Sequence, residues 1–210
     1  MLEPIACRKT DLPQRTLSLA EAQELLNRYG GEAAWIRHCR AVAAVAQEVG
    51  RQLEQRIPLD REYLQVGALL HDIGRSRTHH PVGHGVEGYR LLTELGHPWE
   101  AHVCASHLFC GLSREDAAAH GLPDRDFLPR TLEEQLVPLV DSVVELDRPT
   151  TLENRVASIM RRYEGQGWFL KRMELARHRA GLLLAELSRD YGICLERIAW
   201  KVLGNSTTPL

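Results

Sequence analysis

The chain has 210 residues, of which 44% are hydrophobic and 26% charged, and it carries a formal net charge of −2 at pH 7. This length suits one domain with a single substantial core, and the small net charge argues against general nucleic-acid binding through a basic surface. Because neither a run of about 18 apolar residues nor a signal-peptide pattern occurs, we expect a cytoplasmic protein with no membrane span.

The cysteines are widely spaced and include no C-x-x-C pair, which predicts reduced thiols rather than disulfides. They are Cys7, Cys39, Cys104, Cys110 and Cys194. Cys39 follows His38 directly and so resembles a catalytic nucleophile. No base stands at a matching spacing, however, so a small core residue is the favoured interpretation.

The first half of the chain predicts an extended arm followed by helices. Residues 1–17 contain two prolines and no hydrophobic period, and the capping box Ser18-Leu-Ala-Glu21 then predicts a short helix. A longer helix is predicted from Glu32 to about Gln55, with His38 on or beside its apolar stripe. Asp60 is expected to cap a third helix.

This third helix is predicted to end on an adjacent pair, His71-Asp72. Neighbouring side chains in a regular helix diverge by about 100°, so this pair can converge on one ion only where the helix ends or bends. Gly74 is expected to supply that end through a left-handed conformation. The loop that follows is rich in cations and imidazoles.

Two more helices are predicted after this loop, one from His84 to Gly96 and one from Trp99 to about His107. Gly85 and Gly88 in the first of them allow close backbone approach. Residues 110–130 are longer than a bundle connection needs, and are interpreted either as a lid or substrate wall or as packing cover.

The second half of the chain predicts further helices. A capping box, Thr131-Leu-Glu-Glu134, opens an apolar helix through Leu146 in which Asp141 stands alone, and a buried carboxylate must be paired, hydrogen-bonded or metal-bound. Helices are also predicted at 152–163 and 168–190, and no strand pattern is found. We therefore predict an all-α, single-domain helical bundle over residues 18–200, with a metal-site core at about 33–146 and a flexible tail at 201–210.

The order His38, His71-Asp72, Asp141 resembles the H…HD…D signature of the HD-domain phosphohydrolases, helical metal-dependent enzymes that cleave phosphate esters. The stretches L-L-H-D-I-G-R and H-G-V-E-G-Y-R-L-L are similar to the small stand-alone members that bind two metals, some of which hydrolyse dinucleoside polyphosphates. The resemblance implies that His84 and His107 hold a second ion and that Asp72 bridges both ions.

Imidazole and carboxylate ligands suit Fe, Mn, Zn or similar divalent ions, and two such ions can activate a water for attack on phosphorus. The expected catalytic residues are Asp72 and His80, the latter as a proton donor to the leaving group. Arg75, Arg77 and His79 are expected to bind the substrate phosphate. His102 and His107, five residues apart, face different directions on a helix, so only one of them is expected to face the metals. The resemblance, in which this ligand stands at a helix end, implies His107.

Three functions remain open from the sequence. The first is a phosphohydrolase acting on a nucleotide or another small phosphorylated molecule, as a monomer or a homo-oligomer. The second is an HD-type di-iron oxygenase, since related helical folds use the same ligand set. The third, a non-catalytic nucleotide-binding regulator, would be expected to have lost ligands, and all six are present.

Overall fold

The computed structural model describes residues 16–204, so most of the predicted arm and the last six residues of the predicted tail lie outside the described residues. Within this range α-helices dominate, which confirms the all-α prediction. Their bounds are α1 (Leu19–Gly30), α2 (Ala34–Leu53), α3 (Arg61–Leu70), α4 (Gly83–Glu94), α5 (Pro98–Ser106), α6 (Arg114–Ala119), α7 (Leu132–Asp141), α8 (Leu152–Arg162), α9 (Gly167–Tyr191) and α10 (Leu195–Leu203). No described helix is both long and apolar enough to span a bilayer.

Three helix caps were predicted from the sequence. Two of them form as predicted, and the third forms only in part. Ser18 and Glu21 make a complete capping box at α1, and the Asp60 side chain accepts a hydrogen bond from the Tyr63 N–H at α3. Thr131 caps α7, but the Glu134 carboxylate does not bind back to Thr131. It accepts instead from the Arg130 N–H at 2.6 Å and from the Tyr63 hydroxyl at 2.9 Å.

Buried glutamates join separate elements by accepting backbone hydrogen bonds. Glu100 accepts from the Leu17 N–H at 2.9 Å, and Glu133 accepts from the Asp60 N–H at 2.8 Å. Both carboxylates are at most 2% exposed, so these charges are stabilised by hydrogen bonds rather than by water. They anchor the chain entering α1 to α5 and the start of α3 to α7.

Two parts of the C-terminal half differ from the prediction. The helix predicted through Leu146 ends at Asp141, and a short antiparallel hairpin, β1 (Val144–Glu145) and β2 (Arg148–Pro149), follows it. Leu146 turns this hairpin in the left-handed region at φ 57°. In addition, α10 packs on α2 and continues to Leu203, so the tail predicted from residue 201 begins inside a helix.

The role predicted for Gly74 was wrong. Gly74 does not leave α3 in a left-handed conformation; it lies in a 3-10 turn at Ile73–Ser76. A Cβ atom there would overlap the carbonyl oxygen of His84 and the nitrogen of Gly88. The glycine is therefore needed because this turn packs directly on the backbone of α4.

The described cysteines are free thiols. Cys39, whose neighbour His38 raised the question of catalysis, is completely buried, and burial raises the pKa of its thiol well above the ordinary value. Cys39 is thus a core residue of α2, as the sequence suggested.

Candidate metal centre

The bundle brings the six predicted ligands together from five helices. His38 lies within α2, His71 and Asp72 follow the end of α3, and His84 lies in the first turn of α4. His107 follows the end of α5, and Asp141 is the last residue of α7. The backbone leaves helical geometry at Asp72, with φ −104° and ψ 11°, which is the bend that lets His71 and Asp72 face the same centre.

One group of potential ligands consists of His38, His71 and Asp141, whose ligand atoms all lie within 4.8 Å of one another. His38 Nε2 is 2.9 Å from Asp141 Oδ1, and His71 Nε2 is 3.9 Å from the same oxygen. Both histidines are buried, and the Asp141 side chain is 23% exposed. Such a group of two imidazoles and one carboxylate is a suitable site for a divalent transition metal.

A second group shares His71 with the first and adds Asp72 and His107. Asp72 Oδ1 is 2.9 Å from His84 Nε2 and 3.7 Å from His107 Nε2, while Asp72 Oδ2 is 3.9 Å from His71 Nε2. Asp72 therefore contacts ligands of both groups. The bridging role that the family resemblance implies for Asp72 stays a prediction.

Backbone carbonyls orient three of the imidazoles. The Nδ1 atoms of His38, His71 and His84 lie 2.8, 2.7 and 3.1 Å from the carbonyl oxygens of Leu146, Ala68 and His80. A carbonyl oxygen only accepts, so Nδ1 of each ring donates to it and Nε2 is the nitrogen that faces the centre.

The geometry of His71 tests whether the residues fit a metal. Its Nε2 atom is buried without a hydrogen-bond partner, and it faces carboxylate oxygens of Asp72 and Asp141, each 3.9 Å away. A buried, unpartnered polar atom is costly in an ordinary core. A cation placed among these three groups removes that cost, so the residues fit a metal ion.

The electrostatics favour the protonation states in which these side chains bind cations. Burial lowers the pKa of His71, and burial together with His71 and His84 lowers the pKa of His107 to about 3. Burial alone would raise the pKa of Asp72 and of Asp141. The neighbouring His84 and His71 outweigh it at Asp72, and the hydrogen bond with His38 outweighs it at Asp141, so both pKa values are lowered. Burial thus favours the neutral form of His71 and His107, and the neighbouring groups favour the ionised form of Asp72 and Asp141.

A cavity of about 130 Å³ opens beside both groups. Asp72, His84, His107 and Asp141 line its polar end, and residues of α8 and α9 form much of its remaining wall. Of the segment 110–130, interpreted above as a lid or substrate wall, only Cys110 is among the residues that line it. His102 does not line this cavity, and its Nε2 lies 2.9 Å from the Leu128 carbonyl oxygen instead.

Four arginines line this cavity, namely Arg75, Arg155, Arg162 and Arg177. Arg75 and Arg155 lie beside the candidate ligands, and of these two the sequence singled out only Arg75. Arg75 donates from Nε to Asp72 Oδ2. Arg155 of α8 approaches Asp141 Oδ1 to 3.6 Å and Glu145 Oε1 to 3.9 Å. A usable signal did exist, because Arg155 stands four residues before Ile159 and beside Val156, on the apolar stripe of α8.

Other predicted phosphate and proton-transfer residues have different partners. Arg77 binds Glu87 and Glu94, with nitrogen–oxygen distances of 3.3 and 2.9 Å. The His80 Nδ1 atom accepts from the N–H groups of Val82 and Gly83, and so caps the start of α4. His79 is exposed. Among the described residues that line the cavity beside the ligands, none of Arg77, His79 and His80 is found.

This chain is an all-α domain with buried His and Asp groups that could hold metal ions, which is the architecture of HD-type proteins. A model of the HD domain family matches residues 35–165, more than half of the chain. The chain therefore belongs to the HD-domain family, within a superfamily of metal-dependent hydrolases. The matched residues include all six ligands described above.

The chain is also similar to three curated proteins. An uncharacterised protein of Methanocaldococcus jannaschii is 40% identical over 111 residues, which cover 52% of this chain and 65% of that protein. A tRNA (cytidine(56)-2'-O)-methyltransferase of Picrophilus torridus is 33% identical over 62% of this chain and 36% of its own length. The Thermoplasma volcanium methyltransferase of the same name is 30% identical over 63% and 38%. The chain thus spans less than two thirds of each relative, and no solved structure matches it.

Proposed function

We propose that this protein is a metal-dependent phosphohydrolase that releases phosphate from a nucleotide or a related small phosphorylated molecule. One observation carries the proposal: the two His and Asp groups border the same cavity as the guanidinium groups of Arg75 and Arg155. Metal ligands and phosphate-binding cations at one cavity are the two requirements of phosphoester hydrolysis.

The six ligands divide between two divalent ions in this proposal. His38, His71 and Asp141 would hold one ion, His84 and His107 would hold the other, and Asp72 would lie between them. Bound divalent ions would lower the pKa of a water molecule and offset the negative charge that develops on the phosphoryl group. In the reaction the phosphorus–oxygen bond to the leaving group breaks, the water oxygen forms a new bond to phosphorus, and a water proton ends on the leaving oxygen.

The arginines have separate tasks in this proposal. Arg75 holds Asp72 through its Nε donor, which leaves its terminal nitrogens for the substrate. Arg155 stands 3.6 Å or more from its nearest carboxylates, beyond hydrogen-bonding distance. A phosphate group entering the cavity would supply the acceptors that this guanidinium lacks.

The same arginines favour hydrolysis over the oxygenase alternative, because oxygen activation has no need of two cations beside the ligands. Oxygen consumption on metal loading would separate the oxygenase from the hydrolase.

A tRNA substrate is not favoured either. The tRNA methyltransferase name describes proteins of which this chain covers little more than a third. A net charge of −2 also gives no general basic surface for nucleic acid.

The decisive experiment combines metal analysis with a panel of phosphoesters. Protein prepared without added metal is expected to contain divalent ions and to release phosphate from at least one substrate. The Asp72→Ala variant is expected to lose bound metal and to lose activity by roughly 100-fold or more. Asp190→Ala, which removes an exposed carboxylate of α9, is the matched control and should change neither measurement.

Two results would contradict the proposal. One is a wild-type protein that binds two ions but releases no phosphate from any substrate, and that result would remove the hydrolase assignment. The other is full activity and metal content in Asp72→Ala, which would remove the assignment of the site.

A further inference from the structure

The cavity beside the ligands has two chemically different parts. Its polar end is formed by four candidate ligands with Arg75 and Arg155, whereas the rest is formed largely by apolar side chains of α8 and α9. Arg162, Tyr163 and Arg177 also contribute to the lining. The apolar residues used in the following argument, called the ring wall, are Phe109, Val156, Ile159, Phe169 and Met173. A phosphate group gains nothing from contact with apolar side chains, so the ring wall is expected to contact another part of the substrate.

Two of the five ring-wall residues lie outside the region that the HD family model matches. The family match ends at residue 165, and α9 begins at Gly167. Phe169 and Met173 of α9 are buried and face the cavity. The polar end therefore belongs to the matched family region, while the surface contributed by α9 lies beyond it.

Phe109 reaches the ring wall through an unusual backbone. Phe109 and Cys110 have φ values of 53° and 55°, in the left-handed region that costs a residue with a Cβ atom roughly 1 kcal/mol. This turn comes two residues after the ligand His107, and it places the Phe109 ring 5.2 Å from Phe169 and 5.7 Å from Trp168. The chain thus bears strain to bring an aromatic ring to the cavity beside a ligand.

We propose that the ring wall receives a planar aromatic ring of the substrate while the phosphate lies between Arg75 and Arg155. This inference rests on the proposed function and specifies its substrate class: phosphoesters whose alcohol part carries a single aromatic ring, such as a pyrimidine nucleotide. The cavity measures about 130 Å³ with its polar end included, which is less than the roughly 150 Å³ that holds one benzene ring in a protein core, so the cavity limits the substrate to no more than a single ring.

The chemistry of the wall separates such a substrate from a sugar phosphate. Aromatic rings stack on Phe side chains and displace water from apolar surface. Sugar hydroxyl groups would lose hydrogen bonds to water against the same surface, since Val156, Ile159 and Met173 offer them no strong donor or acceptor. Phe109 and the α9 residues therefore act as specificity-determining residues.

The test compares two substrates that differ by one ring, uridine 5′-monophosphate and ribose 5-phosphate. Wild-type protein is expected to prefer the nucleotide by roughly tenfold or more in kcat/KM, because ring burial adds apolar contact that ribose phosphate lacks. A ratio near one in the wild type would overturn the inference, and this result does not depend on whether any variant folds.

A variant of the ring wall then tests whether the preference for the nucleotide arises at this wall. Ile159 is only partly buried, so Ile159→Trp can narrow the cavity while leaving the core largely intact, and it is expected to reduce the preference to roughly threefold or less. Leu175→Trp adds the same bulk on α9 at an exposed position that does not line the cavity, and should keep the wild-type ratio. An unchanged ratio in folded Ile159→Trp would contradict the inference.

A binding measurement separates this inference from the proposed function. If neither substrate is hydrolysed, the proposed function fails, and calorimetric titration of the chelated protein with the same two compounds still tests the wall. Tighter binding of the nucleotide would support the wall as a ring site, and equal or undetectable binding of both would overturn it.

Discussion

Arg155 has a side chain that is 14% exposed, with an Nε atom that is buried and has no hydrogen-bond partner. Its terminal nitrogens lie 3.6 and 3.9 Å from carboxylates of Asp141 and Glu145, so they feel both charges without a hydrogen bond to either. A guanidinium in this state offers strong donors to an incoming anion. At the scale of single residues, it is the group that most directly connects the metal centre with a phosphate.

We expect Arg155→Lys to raise KM by roughly tenfold with a smaller change in kcat, because lysine keeps the charge and loses the two-pronged geometry. Steady-state kinetics with the best substrate of the panel would measure the split, and metal analysis should show unchanged content. Arg161→Lys, at an exposed position of the same helix, is the control. An unchanged KM in Arg155→Lys would show that this guanidinium does not bind the substrate.

The sequence revealed the ligands far better than the residues around them. His71, Asp72 and Asp141 were recognisable because a charged or imidazole group stood at the end of, or within, an apolar helix. Arg155 was overlooked although it stands on the apolar stripe of α8, because its position beside Asp141 depends on a contact with α7 that helical periodicity does not contain. For the same reason, local reasoning could not foresee that glutamates would pair with Arg77 or that His80 would cap α4.

At the scale of elements, the turn after α3 and the helix α4 meet backbone to backbone. The His84 carbonyl oxygen and the Gly88 nitrogen occupy the space where a side chain of residue 74 would begin. This turn carries the backbone on from Asp72, and α4 carries His84, so the contact sets the distance between two ligands. The packing of these two elements is therefore part of the construction of the centre.

Gly74→Ala is expected to destabilise the protein by about 3 kcal/mol or more, because backbone atoms must move to admit the methyl group. Urea unfolding would measure the stability, and metal content should fall together with it. Gly181→Ala tests the same substitution inside α9, where an added Cβ comes no closer than 4.0 Å to a neighbour. That variant should gain about 0.5–1 kcal/mol from helix propensity. A Gly74→Ala protein as stable as wild type would contradict the close packing.

Elements whose signals lie within one turn were predicted well, and elements defined by distant partners were not. The caps formed by Ser18 and Asp60 are hydrogen bonds across three residues, which a sequence displays directly. The hairpin after α7 has two residues in each strand, too few to show alternation. The helix α10 packs its apolar face on α2, more than 100 positions earlier, so its partner could not be seen from its own pattern.

At the scale of the whole molecule, the centre is a junction of five helices. Each of α2, α3, α4, α5 and α7 contributes at least one candidate ligand. If any of these helices moved away, the group of candidate ligands would be incomplete. A metal ion held by these candidate ligands would bind only when all of these elements are in place, so its binding free energy would add to the free energy of folding.

Removal of metal should therefore lower the Tm of the wild-type protein. Free metal at 100 times its Kd would contribute about 2.7 kcal/mol, a loss that scanning calorimetry with and without a chelator would detect as a shift of several degrees. The Asp72→Ala variant is the control, since it should respond little to the chelator. A wild-type Tm that stays constant after complete removal of metal would show that the ions do not bind among these helices.

The contact between His38 and the tip of the hairpin has a consequence for biosynthesis. His38 meets Asp141 across 103 residues and the Leu146 carbonyl across 108. At a synthesis rate of about 5–20 residues per second, roughly 5–20 seconds pass between the two halves of this site leaving the ribosome. During that interval the nascent chain displays His38, His71 and Asp72 without the partners that orient and complete them. A metal ion that binds among these residues would therefore find the full set of candidate ligands only after Asp141 has left the ribosome.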